Sequence, residues 1–285
     1  MPEINDIFKS IEQGIEPNDE ALKHLLELED PIQLKRLFDI AYNIKTNHVG
    51  RVVYFRGLIE LSNICSKDCL YCGIRKSNHK VKRFVLEKQE IVEEALWALK
   101  SRYGSVVLQS GERNDPEFTD FIEDALREIT HRSEGKLGIT LSLGEQSLET
   151  YQRWFAAGAQ RYLLRIEASD PELYNKLHPA GHSYQERVEC LRRLQQAGFQ
   201  TGTGVMIGLP YQTTENLIHD LRFFQKIDID MIGMGPYLVH PDTPLAEAMP
   251  EFKRIRERQL VLGLKMIACA RIMLKDINIA STTAL

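Results

Sequence analysis

Arg161-Tyr162-Leu163-Leu164-Arg165-Ile166-Glu167-Ala168 alternates in character along its whole length. Tyr162, Leu164, Ile166 and Ala168 fall on one face of an extended chain, and Arg161, Leu163, Arg165 and Glu167 on the other, the period-2 signature of a strand. The apolar face is suited to a covering layer of helices. Strand-like runs also occur near 52–63, 105–110, 138–144, 202–209, 231–237 and 277–284, and each run but the last is followed by a helical stretch. Strand then helix, repeated, predicts parallel βα units and an α/β fold of TIM-type (β/α) barrel architecture. Seven strands are visible and the eighth of a closed barrel is not, so Ile277, Ile279 and Ala280 would form an open edge unless covered. Three helical patterns precede the strands, at about 3–14, 19–29 and 31–46. Residues 1–50 therefore read as a helical extension and 51–285 as the barrel domain.

The inward faces are unusually polar. In 161–168 they carry Arg161, Arg165 and Glu167, where a barrel ordinarily packs branched aliphatics. In the first strand Val53, Phe55, Ile59 and Leu61 share one side, and Arg56, Glu60 and Ser62 the other. Gln109, Thr140 with Ser142, and Thr201 with Thr203 add further interior polar positions. Unpartnered charges are costly to bury, which leaves two readings. Either the barrel holds a polar cavity facing a ligand, or Glu60 and Glu167 neutralise the arginines in a closed ion-pair network.

Cys65-Ser-Lys-Asp-Cys69-Leu-Tyr-Cys72 places three thiols within eight residues. Thiolates this close can converge on one metal centre, and soft sulfur ligands suit an iron–sulfur cluster. Zinc sites commonly pair two CxxC units or add histidines, and no second CxxC is present. Cys190 and Cys269 stand alone within helical patterns and read as buried packing thiols. Three protein ligands leave a four-iron cluster one ligand short, with one iron open to another molecule.

With Tyr71 before the third cysteine, the run resembles the CxxxCxΦC signature of the radical S-adenosylmethionine (SAM) superfamily. That resemblance implies a [4Fe-4S] cluster on Cys65, Cys69 and Cys72, with SAM at the open iron. Ser110-Gly111-Glu112, directly after the second strand, is similar to the superfamily's GGE-type motif, which holds the ammonium of SAM. By the same resemblance Glu167 takes the ribose and Arg165 or Arg187 the carboxylate, with Tyr71 and Ser142 beside them. Arg187 alternatively reads as a solvated helix residue. Gly202 to Thr213 reads either as a glycine-lined contact for the adenine or as strand packing, and His240 reads as structural.

Leu108–Glu112 (LQSGE), Ser142–Glu145 (SLGE), Arg161–Arg165 (RYLLR), Gly204–Thr213 (GVMIGLPYQT), His240–Ala246 (HPDTPLA) and Ala280–Leu285 (ASTTAL) resemble, as a set, the [FeFe]-hydrogenase maturases of the biotin synthase-like branch. That family continues past the last motif, so the barrel domain is expected to lack its C-terminal end. The resemblance implies reductive cleavage of SAM to a 5′-deoxyadenosyl radical that acts on a small sulfur-containing substrate, a cysteine-derived iron complex. Arg56, Gln109, Thr140, Arg161 and Thr282 are the candidates to hold it. A reductant protein such as ferredoxin or flavodoxin and other hydrogenase maturases are the implied partners. The alternatives are a 3-methylornithine synthase, a biotin synthase, or a metal-precursor carrier without radical chemistry.

Composition bounds the rest. With 285 residues, 43% of them hydrophobic, the chain can bury a large core. A net charge of −4 gives no general attraction for nucleic acid. No apolar stretch approaches the roughly 20 residues that span a bilayer, and a soluble cytoplasmic protein is expected, in a reducing compartment suited to the cysteine loop.

Overall fold

The computed structural model describes residues 3–254 and 256–281. Three helices come first: α1 (Ile4–Glu12), α2 (Asp19–Leu26) and α3 (Pro31–His48). Their starts follow from local chemistry. Asn18 accepts from the N–H of Ala21, and Asp30 from those of Ile32 and Gln33, with Pro31 in the first turn where its missing N–H costs nothing.

The strands are β1 (Gly57–Ser62), β2 (Ser105–Ser110), β3 (Gly138–Ser142), β4 (Arg161–Leu163), β5 (Gln200–Thr203), β6 (Met206–Ile207), β7 (Met231–Pro236) and β8 (Asn278–Ser281). Their pairings are all parallel, in the order β1-β2-β3-β4-β5-β7, with β8 beyond β7. Because β6 continues the line of β5 and also pairs with β7, the curled sheet has the seven staves expected. Among the described residues β1 and β8 are not paired with each other, and the barrel is open between them. Around it lie α4 (Lys88–Lys100), α5 (Pro116–Arg132), α6 (Leu148–Ala156), α7 (Pro171–Leu177), α8 (Tyr184–Gln196), α9 (Thr214–Ile227), α10 (Pro244–Ala248) and α11 (Arg256–Leu274). α3 packs on α11, where the buried Lys265 donates to the carbonyls of Leu26 and Leu28 at the end of α2. A cation there satisfies carbonyls that have no donor within the helix.

Burial along 161–168 follows the predicted alternation, although only three residues join the ladder. Tyr162 is fully buried against Tyr151, Trp154 and Phe199, with ring centroids 5.2, 6.5 and 5.6 Å away. Burying each such ring is worth about 1.5–3 kcal/mol, which fixes the outer face of β4 and so aims Arg165 and Glu167 inward.

Two expectations are corrected. The first strand starts at 57, not 52, and Val53 and Phe55 are 73% and 75% exposed. The ladder with β2 begins at Gly57, so the preceding residues have no backbone partner to hold them extended. Thr201 and Thr203 spend their hydroxyls on the carbonyls of Phe199 and Leu164 and do not face a cavity. Beside them, a Cβ on Gly204 would overlap the carbonyl of Gly233 on β7, so strand packing accounts for that glycine. His240 lies against Gly73 and its Nδ1 accepts from the N–H of Asp242 at 3.2 Å, contacts in keeping with a structural residue. Among the described residues no helix is long and apolar enough to cross a membrane.

Candidate cofactor and metal centre

The loops leaving the C-terminal ends of β1 to β4 converge. Cys65, Cys69 and Cys72 are free and partly exposed on the loop after β1, which is braced by side-chain hydrogen bonds. Asn63 donates to the carbonyl of Lys82 and accepts from the N–H of Phe84, both at 2.8 Å. Arg83 fills the carbonyls of Asn63, Ile74, Arg75 and Asn78. The N–H of Leu70 bonds the carbonyl of Leu177 at 2.9 Å, and its carbonyl takes the N–H of Leu245 at 3.1 Å. The cysteine loop is thereby tied to α7 and α10. Cys190 and Cys269 are buried, as predicted.

Two glycines let neighbouring loops press against this one. A Cβ on Gly111 would stand 2.3 Å from the carbonyl oxygen of Ile64 and 2.8 Å from Cys65 Cβ. The next residue, Glu112, donates its N–H to Cys65 Sγ at 3.3 Å, while Ser110 Oγ donates to the carbonyl of Gly111. Gly144 has φ +82°, and a Cβ there would lie 2.3 Å from Glu112 Cγ. The glycines of SGE and SLGE thus stack three loops in one corner.

Four charges meet in that corner. Lys67 Nζ lies 3.1 Å from Glu112 and 2.5 Å from Glu145, and Arg187 lies 2.6 Å from Glu145 and 3.9 Å from Glu112. Burial pushes Glu112 above the usual carboxylate range, partly opposed by Arg187 and Lys67. Burial acts on Glu145 too, but Arg187 and Lys67 outweigh it and hold that carboxyl low. Arg187 also donates to the carbonyl of Arg165 at 3.1 Å, and with its side chain only 11% exposed it is a member of this network and not a solvated helix residue.

Beyond β4, Arg165 bonds the carbonyl of Val205 at 2.9 Å and lies 3.0 Å from Glu167 Oε2. That contact is made by Arg165 Nη2 and lacks hydrogen-bond alignment, and among the described residues neither the buried Arg165 Nε nor the buried Glu167 Oε2 has a hydrogen-bond partner. Glu167 is held at φ +65°, its N–H bonded to Gly204 and its carbonyl to Met206. A strained, enclosed carboxylate with a spare acceptor is suited to receive hydroxyl or N–H donors. Ser142 stands next to Gln109 across the β2–β3 ladder.

Tyr71 approaches His178 Nε2 at 3.3 Å, and His178 Nδ1 bonds the carbonyl of Tyr174 at 2.8 Å. A carbonyl only accepts, so the ring carries its proton on Nδ1 and accepts from Tyr71 at Nε2. Burial drives the His178 pKa down to about 4, which keeps the ring neutral.

The donor set fits an iron–sulfur cluster with an adjacent polar ligand. Burial, then repulsion from Cys72, pushes the Cys69 thiol up to about 12, and Cys72 is raised as well. Three thiolates here require a cationic centre, and the unpartnered Arg165 Nε and Glu167 Oε2 offer a donor and an acceptor beside it.

Arg56 and Arg161 sit apart from that corner, at the N-terminal ends of β1 and β4. Arg161 Nε donates to Gln200 at 2.9 Å, and Arg56 lies 3.2 Å from Met231 Sδ. Burial, and then Arg161, lower the Arg56 pKa, so the two cations are neighbours. Neither pairs with Glu60 or Glu167 among the described residues, against the reading of a closed ion-pair network. Thr140 is next to Arg161 in the ladder, buried, with an unpartnered hydroxyl. Thr282 lies outside the described residues. The sequence assigns no role to Lys67, Glu145, His178 or His182; the available signal is the position of Lys67 between Cys65 and Cys69.

Residues 59–224 match the family model of the radical SAM superfamily. The chain is 43% identical over 267 residues to the [FeFe] hydrogenase maturase subunit HydE of Thermotoga maritima, covering 93% of this chain and 73% of that protein. It is 27% identical to the 3-methylornithine synthase of Methanosarcina acetivorans over the same shares of chain and protein. The crystal structure of methylornithine synthase (PylB) superposes with a TM-score of 0.81 at 26% identity, covering 96% of this chain and 78% of that one.

Proposed function

Since this chain belongs to the radical SAM superfamily, we propose that its radical chemistry serves assembly of the [FeFe]-hydrogenase active centre, acting on a small anionic sulfur-containing substrate, a cysteine-derived iron complex. The membership makes it an enzyme with a [4Fe-4S] cluster and SAM as cofactors, so the carrier reading falls. When bound, the cluster supplies an electron that cleaves SAM to a 5′-deoxyadenosyl radical. Cys65, Cys69 and Cys72 would hold the cluster. Glu112 and the backbone of Ser110 and Gly111 would receive the ammonium of SAM, and Glu167 the ribose hydroxyls. Arg165, with its spare Nε, suits the carboxylate better than Arg187, whose donors are taken by Glu145 and the carbonyl of Arg165. Tyr71 and Ser142 border the same space.

The observation that supports the substrate class is a pair of cations, Arg56 and Arg161, at the opposite mouth of the barrel, with no carboxylate partner among the described residues. Uncompensated guanidinium groups attract an anion. Gln109 and Thr140 add neutral hydrogen-bonding groups along the way. A reductant protein of the ferredoxin or flavodoxin kind would deliver the electron, and other hydrogenase maturases would receive the product.

The deciding experiment is anaerobic maturation of apo-[FeFe]-hydrogenase with and without the reconstituted protein. Restored hydrogenase activity is expected. Conversion of lysine to 3-methylornithine, with no effect on maturation, would overturn the assignment. Within that reaction, Arg161→Leu is expected to leave uncoupled SAM cleavage intact and cut turnover of the true substrate by at least tenfold. A loss of melting temperature with normal turnover would instead make Arg161 structural. Glu167→Ala should weaken SAM binding by about 1–3 kcal/mol through lost charge-assisted hydrogen bonds; an unchanged dissociation constant by calorimetry removes Glu167 from the ribose site.

A further inference from the structure

His182 lies in the turn between α7 and α8, with its main-chain N–H on the carbonyl of Pro179 at 2.9 Å. Its ring is 5.6 Å from His178, which stacks on Tyr174 at 4.0 Å. One contact fixes which ring nitrogen bears the hydrogen. The main-chain N–H of Asp68 points at Nε2 from 3.3 Å, and since it can only donate, Nε2 must offer its lone pair. A neutral imidazole then carries its hydrogen on Nδ1. Nδ1 faces Cys69 Sγ at 3.9 Å. His178 has no such freedom, because Tyr71 and Tyr174 occupy both of its nitrogens.

From this geometry we infer that His182 is a positioning residue for electron entry: it acts through Cys69, donating from Nδ1 to the ligating sulfur and favouring the reduced cluster. Reduction places extra negative charge on the cluster and its sulfurs. A donor aimed at a ligand sulfur stabilises that state more than the oxidised one, and hydrogen bonds to sulfur are among the levers that set cluster potentials. One electron enters from an external low-potential donor, no bond is made or broken, and the hydrogen stays on Nδ1. The inference rests on the cluster being held by Cys65, Cys69 and Cys72.

The test is an EPR-monitored redox titration of the reconstituted holoprotein without SAM. His182→Leu removes the donor and is expected to disfavour reduction about tenfold, a drop of about 59 mV for a one-electron couple. His182→Asn, whose amide can place an N–H where Nδ1 was, is expected to recover most of that shift, whereas His182→Gln is not. A fully loaded Leu variant with the wild-type potential overturns the inference. If the Leu variant fails to load iron, equal potentials in the wild type, Asn and Gln proteins overturn it equally. Wild-type protein that holds no four-iron cluster is a different outcome, and sinks the cluster assignment itself.

Discussion

Serine at any one of positions 65, 69 or 72 is expected to abolish SAM cleavage, measured as 5′-deoxyadenosine formed under strong reductant. The reason is ligand chemistry at a site with no redundancy. The loop after β1 presents three thiols, and the other two cysteines are buried elsewhere, Cys190 on α8 and Cys269 on α11. A serine hydroxyl is a far weaker ligand for iron than a thiolate, because it stays protonated at neutral pH where a metal-bound thiol does not. The fold should survive each change, since these cysteines are partly exposed and the loop is braced by Asn63 and Arg83. Circular dichroism should therefore be unchanged while iron content and cleavage fall together. Cys190→Ser and Cys269→Ser should retain full iron. Retained cleavage in all three loop variants would refute the cluster assignment.

Arg187→Leu is expected to cost about 3 kcal/mol of stability, read as a lower urea midpoint for the apo protein. Breaking a buried ion pair by removing one partner costs about 3–5 kcal/mol, because the other charge is left without compensation. Here the remaining charge is Glu145, 2.6 Å from Arg187. Lys67 still lies 2.5 Å from the same carboxylate, which places the expectation at the lower end. Arg187→Lys should recover part of the loss, as it restores charge without the guanidinium geometry. Unchanged unfolding together with weaker SAM binding would mean that Arg187 serves the cofactor and not the network.

Much of the architecture was legible in local pattern. Seven staves, the inward arginines and glutamate of 161–168, and a three-cysteine loop at the end of the first strand all follow from periodicity and spacing. Failures came where a pattern had no partner to act on. Val53 and Phe55 keep the alternation of a strand, but the ladder with β2 starts only at Gly57, so they are exposed. Thr201 and Thr203 look like cavity residues, yet nearby carbonyls satisfy them.

What is covalently local can be read along the chain: which residues alternate, which thiols share a loop, and where glycines follow the strands. Which distant groups meet is set by the folded arrangement of the loops. Lys67 reaches Glu145 across 78 residues, Arg187 reaches Glu145 across 42, and His182 reaches Cys69 across 113. A charge or an imidazole takes its function from the field and hydrogen-bond partners around it. Those are set by how the loops of a barrel stack at one end, and no repeat in the chain encodes that stacking.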